Sequence, residues 1–273
     1  MARKIDEKKL AKAYNRALAL EKEGRLAEAA EAYREVLAID PEDHGGAAVR
    51  LAATGFGDTP LKAPGAYVET LFDQHADDFE DILVEQLGYC VPMTIRQRFQ
   101  ALALGPFRRM LDLGCGTGLG ADALNDMADD ITGLDISENM VEIAYEKGLY
   151  DTLFVAEVEE FLEESDETPF DLVIAADVLP YLGTLDALFQ GAAANMETGG
   201  IFAFSAETLP EERLKGAGYA VGPHHRFGHS LAYIETGLKN AGFETVEVTD
   251  INIRMENGQP TPGYLVIARL QEA

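Results

Sequence analysis

The chain has no tryptophan and two cysteines, and its basic side chains number fewer than half the acidic ones. There are 22 Lys and Arg against 48 Asp and Glu in 273 residues, a formal net charge of -26. Each shortage excludes something. Two cysteines cannot build a disulfide framework, and Cys115 lies among glycines where a bridge would freeze the backbone, so both read as reduced thiols. A surface this acidic repels polyphosphate, which makes nucleic acid an unfavourable partner. The only close basic pairs, in "RQRF" (Arg96 to Phe99) and "FRRM" (Phe107 to Met110), read as solvated faces. No run reaches the roughly 18 apolar residues of a membrane span, and the charged start "MARKIDEKKL" lacks the apolar stretch of a signal peptide. The expectation is a cytoplasmic protein with neither membrane nor nucleic acid as partner.

What is present is an apolar fraction of 47%, enough for a globular core of one α/β domain and a small extra module. Residues 1–55 form that module. "AYNRALALEKEGRLAEAAEAYREVLAIDPED" reads as two amphipathic helices around a turn at Gly24, with Leu18, Leu20, Leu26, Ala29, Ala30, Tyr33, Val36 and Leu37 at helical spacing. Pro41 closes the second helix. The segment resembles a tetratricopeptide repeat, with Gly24, Ala29, Tyr33 and Pro41 at its turn, small, aromatic and closing positions, although Arg16 stands where an apolar residue is usual. "HGGAAVRLAATG" offers a third helix. One repeat cannot bury its own face, so it packs on a neighbour or on the main domain, or serves to dock a protein partner.

Residues 56–65, within the Gly- and Pro-rich "TGFGDTPLKAPG", read as a linker. Residues 66–108 read as a helical cap: a long helix-period stretch, "AYVETLFDQHADDFEDILVEQLG", then a shorter helix after Pro92. From Arg109 to the end, residues 109–273, strands and helices alternate. The strand candidates are Met110–Leu113, Asp130–Asp135, Thr152–Ala156, Phe170–Ala176 and Gly200–Ser205. Alternation of this kind implies a Rossmann-like parallel sheet covered on both faces.

The chemistry gathers at "MLDLGCGTGLG". Counting from a strand that ends at Leu113 gives D-x-G-x-G-x-G, with Asp112, Gly114, Gly116 and Gly118 in register and Cys115 as a small loop residue. A dinucleotide fingerprint starting at Gly114 meets Leu119 where it needs glycine; one starting at Gly116 matches but sits two residues too far from the strand. No Gly-Lys-Ser/Thr follows, so a phosphate loop is excluded. Asp135, 21 residues after Gly114, ends the second strand and can accept both ribose hydroxyls. Ser137 caps the next helix, which places Met140 towards an adenine. Glu157 and Val158 follow the third strand, and Asp177 follows the fourth. Carboxylates collected at the carboxyl ends of parallel strands point to an adenosine ligand.

The C-terminus separates the readings. "FETVEVTDINIRM", "ENGQPTPG" and "YLVIARL" read as a strand, a turn and a strand, an antiparallel hairpin foreign to dinucleotide folds. With "LDLGCGTG", the acidic "GLD" strand end, "AEVEEF" and "FDLVIAADVLPYL", about 160 residues resemble the class I S-adenosylmethionine-dependent methyltransferases. The helical start followed by such a core resembles predicted bacterial methyltransferases carrying tetratricopeptide-like repeats.

The resemblance implies a seven-stranded, mostly parallel sheet and S-adenosyl-L-methionine as cofactor, with S-adenosyl-L-homocysteine as product. It implies cofactor contacts from Asp112, Gly114, Cys115, Gly116, Gly118, Asp135, Ile136, Met140, Glu157, Val158, Asp177 and Val178. It lays the "LFDQHADDFE" segment across the cofactor, with Tyr67, Phe72 and Phe79 closing the pocket. For the acceptor, expected to be a small molecule before a protein, the candidates are Tyr181 and the group His224, His225, Arg226 and His229. Those three histidines lack a nearby carboxylate or cysteine to complete a metal set, so no metal is expected. The rival readings are a nicotinamide oxidoreductase and a non-catalytic, cofactor-sensing scaffold.

Overall fold

The computed structural model describes residues 6–272. The first helices are α1 (Glu7–Lys22), α2 (Leu26–Ile39) and α3 (Ala47–Ala53). Helices α1 and α2 turn about Gly24, whose φ of +73° suits glycine. The seam holds the expected Ala29, Tyr33 and Val36, with Leu20 and Leu37 packed against it, but Leu18 and Leu26 lie outside it. Ala13, Ala17, Ala29 and Ala32 are buried with Tyr33 and Val36, whereas Leu26 is exposed and Leu18 half-exposed. Small side chains let the two helices approach closely. Arg16 does not face this seam; it pairs on the surface with Glu35 at 3.0 Å. Asp43 starts α3 by accepting the amides of Ala47 (2.6 Å) and Ala48 (2.8 Å).

The stretch expected as a linker is tied down: Ala63 donates to the Tyr181 carbonyl at 2.8 Å, and Gly183 donates to the Leu61 carbonyl at 2.9 Å. The long helix expected over residues 66–88 is broken instead. Helix α4 (Gly65–Asp73) stops, a 3₁₀ turn covers Ala76–Asp78, and a π-helical turn covers Asp81–Gln86. The cause is what this segment touches. Asp73 is drawn aside by Ser137 Oγ at 2.5 Å, Glu80 accepts from Thr117 Oγ1 at 2.6 Å, and Leu87 accepts the Met255 amide at 2.6 Å. A straight helix cannot reach all three.

Helix α5 (Val91–Ala101) leads into the alternating part: β1 (Phe107–Leu113), α6 (Leu119–Leu124), β2 (Ala128–Asp135), α7 (Glu138–Lys147), β3 (Thr152–Val155), α8 (Val158–Glu164), β4 (Phe170–Ala175), α9 (Asp186–Ala194) and β5 (Met196–Glu207). Next come α10 (Glu211–Leu214), the small hairpin β6 (Tyr219–Val221) and β7 (Phe227–His229), then α11 (Leu231–Asn240), β8 (Phe243–Glu256) and β9 (Gln259–Leu270). The seven-stranded sheet runs β3-β2-β1-β4-β5-β9-β8, with β1 to β5 parallel and β9 antiparallel to both β5 and β8.

Alternate residues of the central strands feed two cores. Leu111, Leu113 and Val173 pack towards α8, α9 and α11, while Met110, Leu172 and Ile174 pack towards α5 and α6. A parallel sheet buried on both faces needs this. It also brings the carboxyl ends of β1, β2, β3 and β4 to one edge, where a ligand cleft forms.

Candidate active site

The cleft at that edge has a volume of about 330 Å³. Its floor is the loop after β1. Gly114 and Gly116 have φ of +64° and +53°, which glycine adopts without strain. A Cβ at Gly114 would stand 2.6 Å from Val178 Cγ2. A Cβ at Gly116 would come into ordinary contact with Phe79 Cε1 at 3.8 Å, and both residues line the cleft. Asp135 fixes this loop: Oδ2 accepts the Gly116 amide and Oδ1 the Ser137 amide, both at 2.9 Å. Asp112 sits beneath, accepting the Tyr150 hydroxyl at 2.7 Å. Burial, with Asp135 nearby, pushes Asp112 up to about 7 despite the Tyr150 hydrogen bond. Burial pushes Asp135 up to about 6 against the pull of its backbone donors.

The lining also includes Cys115, Ile136, Glu157, Val158, Asp177, Val178, Tyr181 and Arg226, with Phe72 and Phe79 from the broken helical segment above. Cys115 is buried, and burial pushes its thiol well up, as expected of a packing residue rather than a nucleophile. Glu157 caps α8, its Oε2 accepting the amides of Glu159 and Glu160 at 3.0 Å. Phe72 meets Tyr181 edge-to-face, ring centroids 5.4 Å apart, so the roof touches the far wall. Burial pushes the Tyr181 hydroxyl up to about 12, which keeps it protonated at neutral pH.

Several expected site residues lie elsewhere. Gly118 is behind the loop, against Tyr150 and Ala144, and Gly120 lines the cleft in its stead. Met140 is fully buried in helix packing and does not line the cleft. Tyr67 packs on Gly46 of the N-terminal module; a Cβ there would fall 2.7 Å from the ring. The three histidines part company. His224 is on the outside, with Nδ1 3.2 Å from Glu256. His225 turns to the helical module, where Nε2 lies 2.8 Å from Glu21. His229 is wholly buried, stacked on Tyr233 and bonded through Nε2 to the Gly183 carbonyl at 3.1 Å. Burial holds it down at about 4, so it is neutral. None of the three lines the cleft.

Of the lining residues that escaped sequence reasoning, two stand out. Arg254, on β8, is 2% exposed, its Nη1 bonded to both Asp177 oxygens at 2.8 and 2.9 Å and its Nη2 to Glu207. This clamp holds Asp177 at φ +66°, a conformation costly for a non-glycine residue. An arginine at an inward position of a strand is the signal that could have revealed it. The other is His75, whose Nδ1 lies 2.8 Å from the Leu71 carbonyl, in the break after α4. It was hidden because the break was.

An open sheet with this strand order, an antiparallel end and a glycine loop over an acidic strand end defines the class I methyltransferase fold rather than a dinucleotide-binding one. A family model of methyltransferase domains matches residues 92–248, more than half of the chain, and the chain belongs to that family. A tetratricopeptide-repeat model matches residues 11–43. Among similar sequences, the ubiquinone biosynthesis O-methyltransferase of Bordetella avium is 27% identical over 182 residues, which is 59% of this chain and 75% of that one. Its counterpart in Paracidovorax citrulli is 29% identical over 186 residues, 61% of this chain and 78% of that one.

A solved S-adenosylmethionine-dependent methyltransferase from Clostridium acetobutylicum superposes with a TM-score of 0.54 at 17% identity, covering 72% of this chain and 98% of that one. The N-methyltransferase NodS of Bradyrhizobium japonicum, in complex with S-adenosyl-L-homocysteine, gives 0.51 at 18% identity, covering 66% and 86%. At these identities the structural likenesses speak for the fold. The protein is an S-adenosylmethionine-dependent methyltransferase.

Proposed function

We propose that this enzyme methylates a small molecule bound at the Asp177–Tyr181–Arg226 end of the cleft, with the cofactor held at the Gly114–Asp135–Glu157 end. The observation that carries this reading is the cleft itself. At about 330 Å³, and roofed by the Phe72–Tyr181 contact, it suits a cofactor and a compact acceptor better than a folded protein segment. The names of the similar O-methyltransferases support the same acceptor class.

The residues present fit S-adenosylmethionine. Space above Gly116 admits a ligand where a side chain would intrude. Asp135 retains lone pairs for ribose hydroxyls while its backbone bonds fix its orientation. Glu157 Oε1 is left over from the helix cap for an adenine amino group, and the Val158 amide can donate to a ring nitrogen. Asp112 and Asp135 offer negative charge to a cation. When bound, the cofactor supplies an electrophilic methyl group on a sulfonium.

The chain's own contribution is then position and dryness. Phe72, Phe79 and Val178 exclude water, the glycine loop orients the donor, and Arg226 holds a polar or anionic group of the acceptor. Arg226 is itself steadied by Glu256 Oε2 at 2.9 Å. Tyr181, protonated at neutral pH, serves as a hydrogen-bond donor rather than a base. The test is transfer of labelled methyl from S-adenosylmethionine to a low-molecular-mass bacterial cell extract and to an extract of its proteins. Label in the small molecules alone supports the reading, and label confined to protein refutes it.

A further inference from the structure

Among the contacts between the helical module and the acceptor end of the cleft, one runs through a tight turn. Residues 222–226 connect β6 to β7, closed by the Gly222 amide donating to the Arg226 carbonyl at 2.7 Å. His225 in this turn has a φ of +62°, a left-handed conformation uncommon outside glycine though histidine adopts it more readily than most residues. What holds it there comes from the module. Glu21, in the last turn of α1, places Oε1 2.8 Å from His225 Nε2, while its Oε2 takes Tyr33 and, at 3.3 Å, Arg50. Hydrogen bonds from Tyr33 and His225 outweigh burial and hold Glu21 below the usual carboxylate range. Burial and the Arg50 charge hold His225 low, so its neutral ring donates Nε2–H to Glu21. The next residue along the chain is Arg226, which lines the cleft.

Apolar packing reinforces this connection. Val49 of α3 shares a buried cluster with Val221 and Phe227 of the hairpin, against which Tyr181 packs. The turn is thus gripped from both sides, by Glu21 of the module and by Glu256 of β8.

We propose that the helical module is a working part of the enzyme, in which Glu21, acting through His225, positions Arg226 and so sets the affinity for the methyl acceptor. This rests on the proposed placement of the acceptor beside Arg226. Glu21 is a positioning residue, and the cofactor end of the cleft does not depend on it.

The test uses the full chain with Glu21→Ala, Glu21→Gln and Tyr33→Phe. Gln keeps an oxygen to accept from His225; Tyr33→Phe removes a bond to Glu21 that lies wholly within the module. Amide exchange of residues 222–226 is expected to rise at least tenfold in Glu21→Ala and to stay near wild type in the other two. With labelled S-adenosylmethionine and a low-molecular-mass cell extract, the extract concentration giving half-maximal transfer is expected to rise at least fivefold in Glu21→Ala. Its plateau rate and its calorimetric affinity for S-adenosylhomocysteine should stay within twofold of wild type. A folded Glu21→Ala with wild-type exchange and half-saturation overturns the proposal, as does a Tyr33→Phe that reproduces its effects. If the wild type labels nothing in the extract, the proposed acceptor class falls instead, and the exchange measurement still decides whether Glu21 fixes the turn.

Discussion

Asp135 Oδ2 accepts the Gly116 amide at 2.9 Å, so the acidic end of β2 and the glycine loop of β1 are one hydrogen-bonded unit. The carboxylate thereby has two duties: it shapes the loop and it faces the cleft. Asp135→Ala is expected to weaken S-adenosylhomocysteine binding by roughly 1–3 kcal/mol, the range for losing hydrogen bonds to a charged group. Calorimetry checks this, with circular dichroism confirming the fold. Unchanged affinity would remove Asp135 from the site.

Binding of the cofactor should depend on pH between 5 and 8. In the free protein Asp112 is pushed up to about 7 and Asp135 to about 6. A ligand carrying sulfonium and ammonium charges favours both carboxylates ionised, so it must displace any protons they hold. Affinity for S-adenosylmethionine should therefore fall as pH drops, by up to roughly tenfold per group for each pH unit below its pKa. Asp112→Asn, whose amide oxygen can still accept from Tyr150, should flatten the profile near pH 7.

Gly116→Ala separates backbone strain from occupied space. An alanine at φ +53° costs roughly 1–2 kcal/mol of stability. Gly148, at φ +66° with nothing within 4 Å of an added Cβ, imposes a similar strain without lining the cleft. Both alanine variants should lower the melting temperature alike. Only Gly116→Ala should lose S-adenosylhomocysteine binding, by tenfold or more, and equal binding by both variants would place the ligand elsewhere.

His229 predicts an acid weakness of the fold. Its folded pKa, about 4, lies below the ordinary 6.5, so the unfolded chain binds the extra proton between those values. Stability from this group is intact above pH 6.5 and is lost as pH falls towards 4, by about 3 kcal/mol in all. Asp112 and Asp135, whose folded pKa values are raised, act in the opposite sense. The readout is therefore the difference between wild type and His229→Gln, which keeps a donor for the Gly183 carbonyl and cannot titrate. Urea unfolding of the two at pH 7 and pH 4.5 should show the gap shifting towards the variant in acid; a gap independent of pH would contradict the burial of a neutral histidine.

The features legible in the sequence are those set by local rules. Five parallel strands, the glycine register after Leu113 and the C-terminal hairpin follow from apolar patterning and turn residues, and the structure has all of them. The break after Asp73 was not legible. Helical periodicity continues through it, and its causes, Ser137, Thr117 and Met255, are distant in sequence. Arg254 was hidden for a related reason: a buried arginine makes sense only once Asp177 and Glu207 are seen to flank it. The histidines misled because their closeness in sequence says nothing of facing. One tight turn sends His224 to Glu256 and His225 to Glu21, and β7 buries His229.

The proposed seat of S-adenosylmethionine is the cleft above Gly116. Calorimetric titration of the full chain with S-adenosylhomocysteine and with NAD tests it most directly. One S-adenosylhomocysteine is expected to bind per chain, displaced by S-adenosylmethionine and weakened by Asp135→Ala, with no heat from NAD. Saturable NAD binding with none for S-adenosylhomocysteine would contradict it.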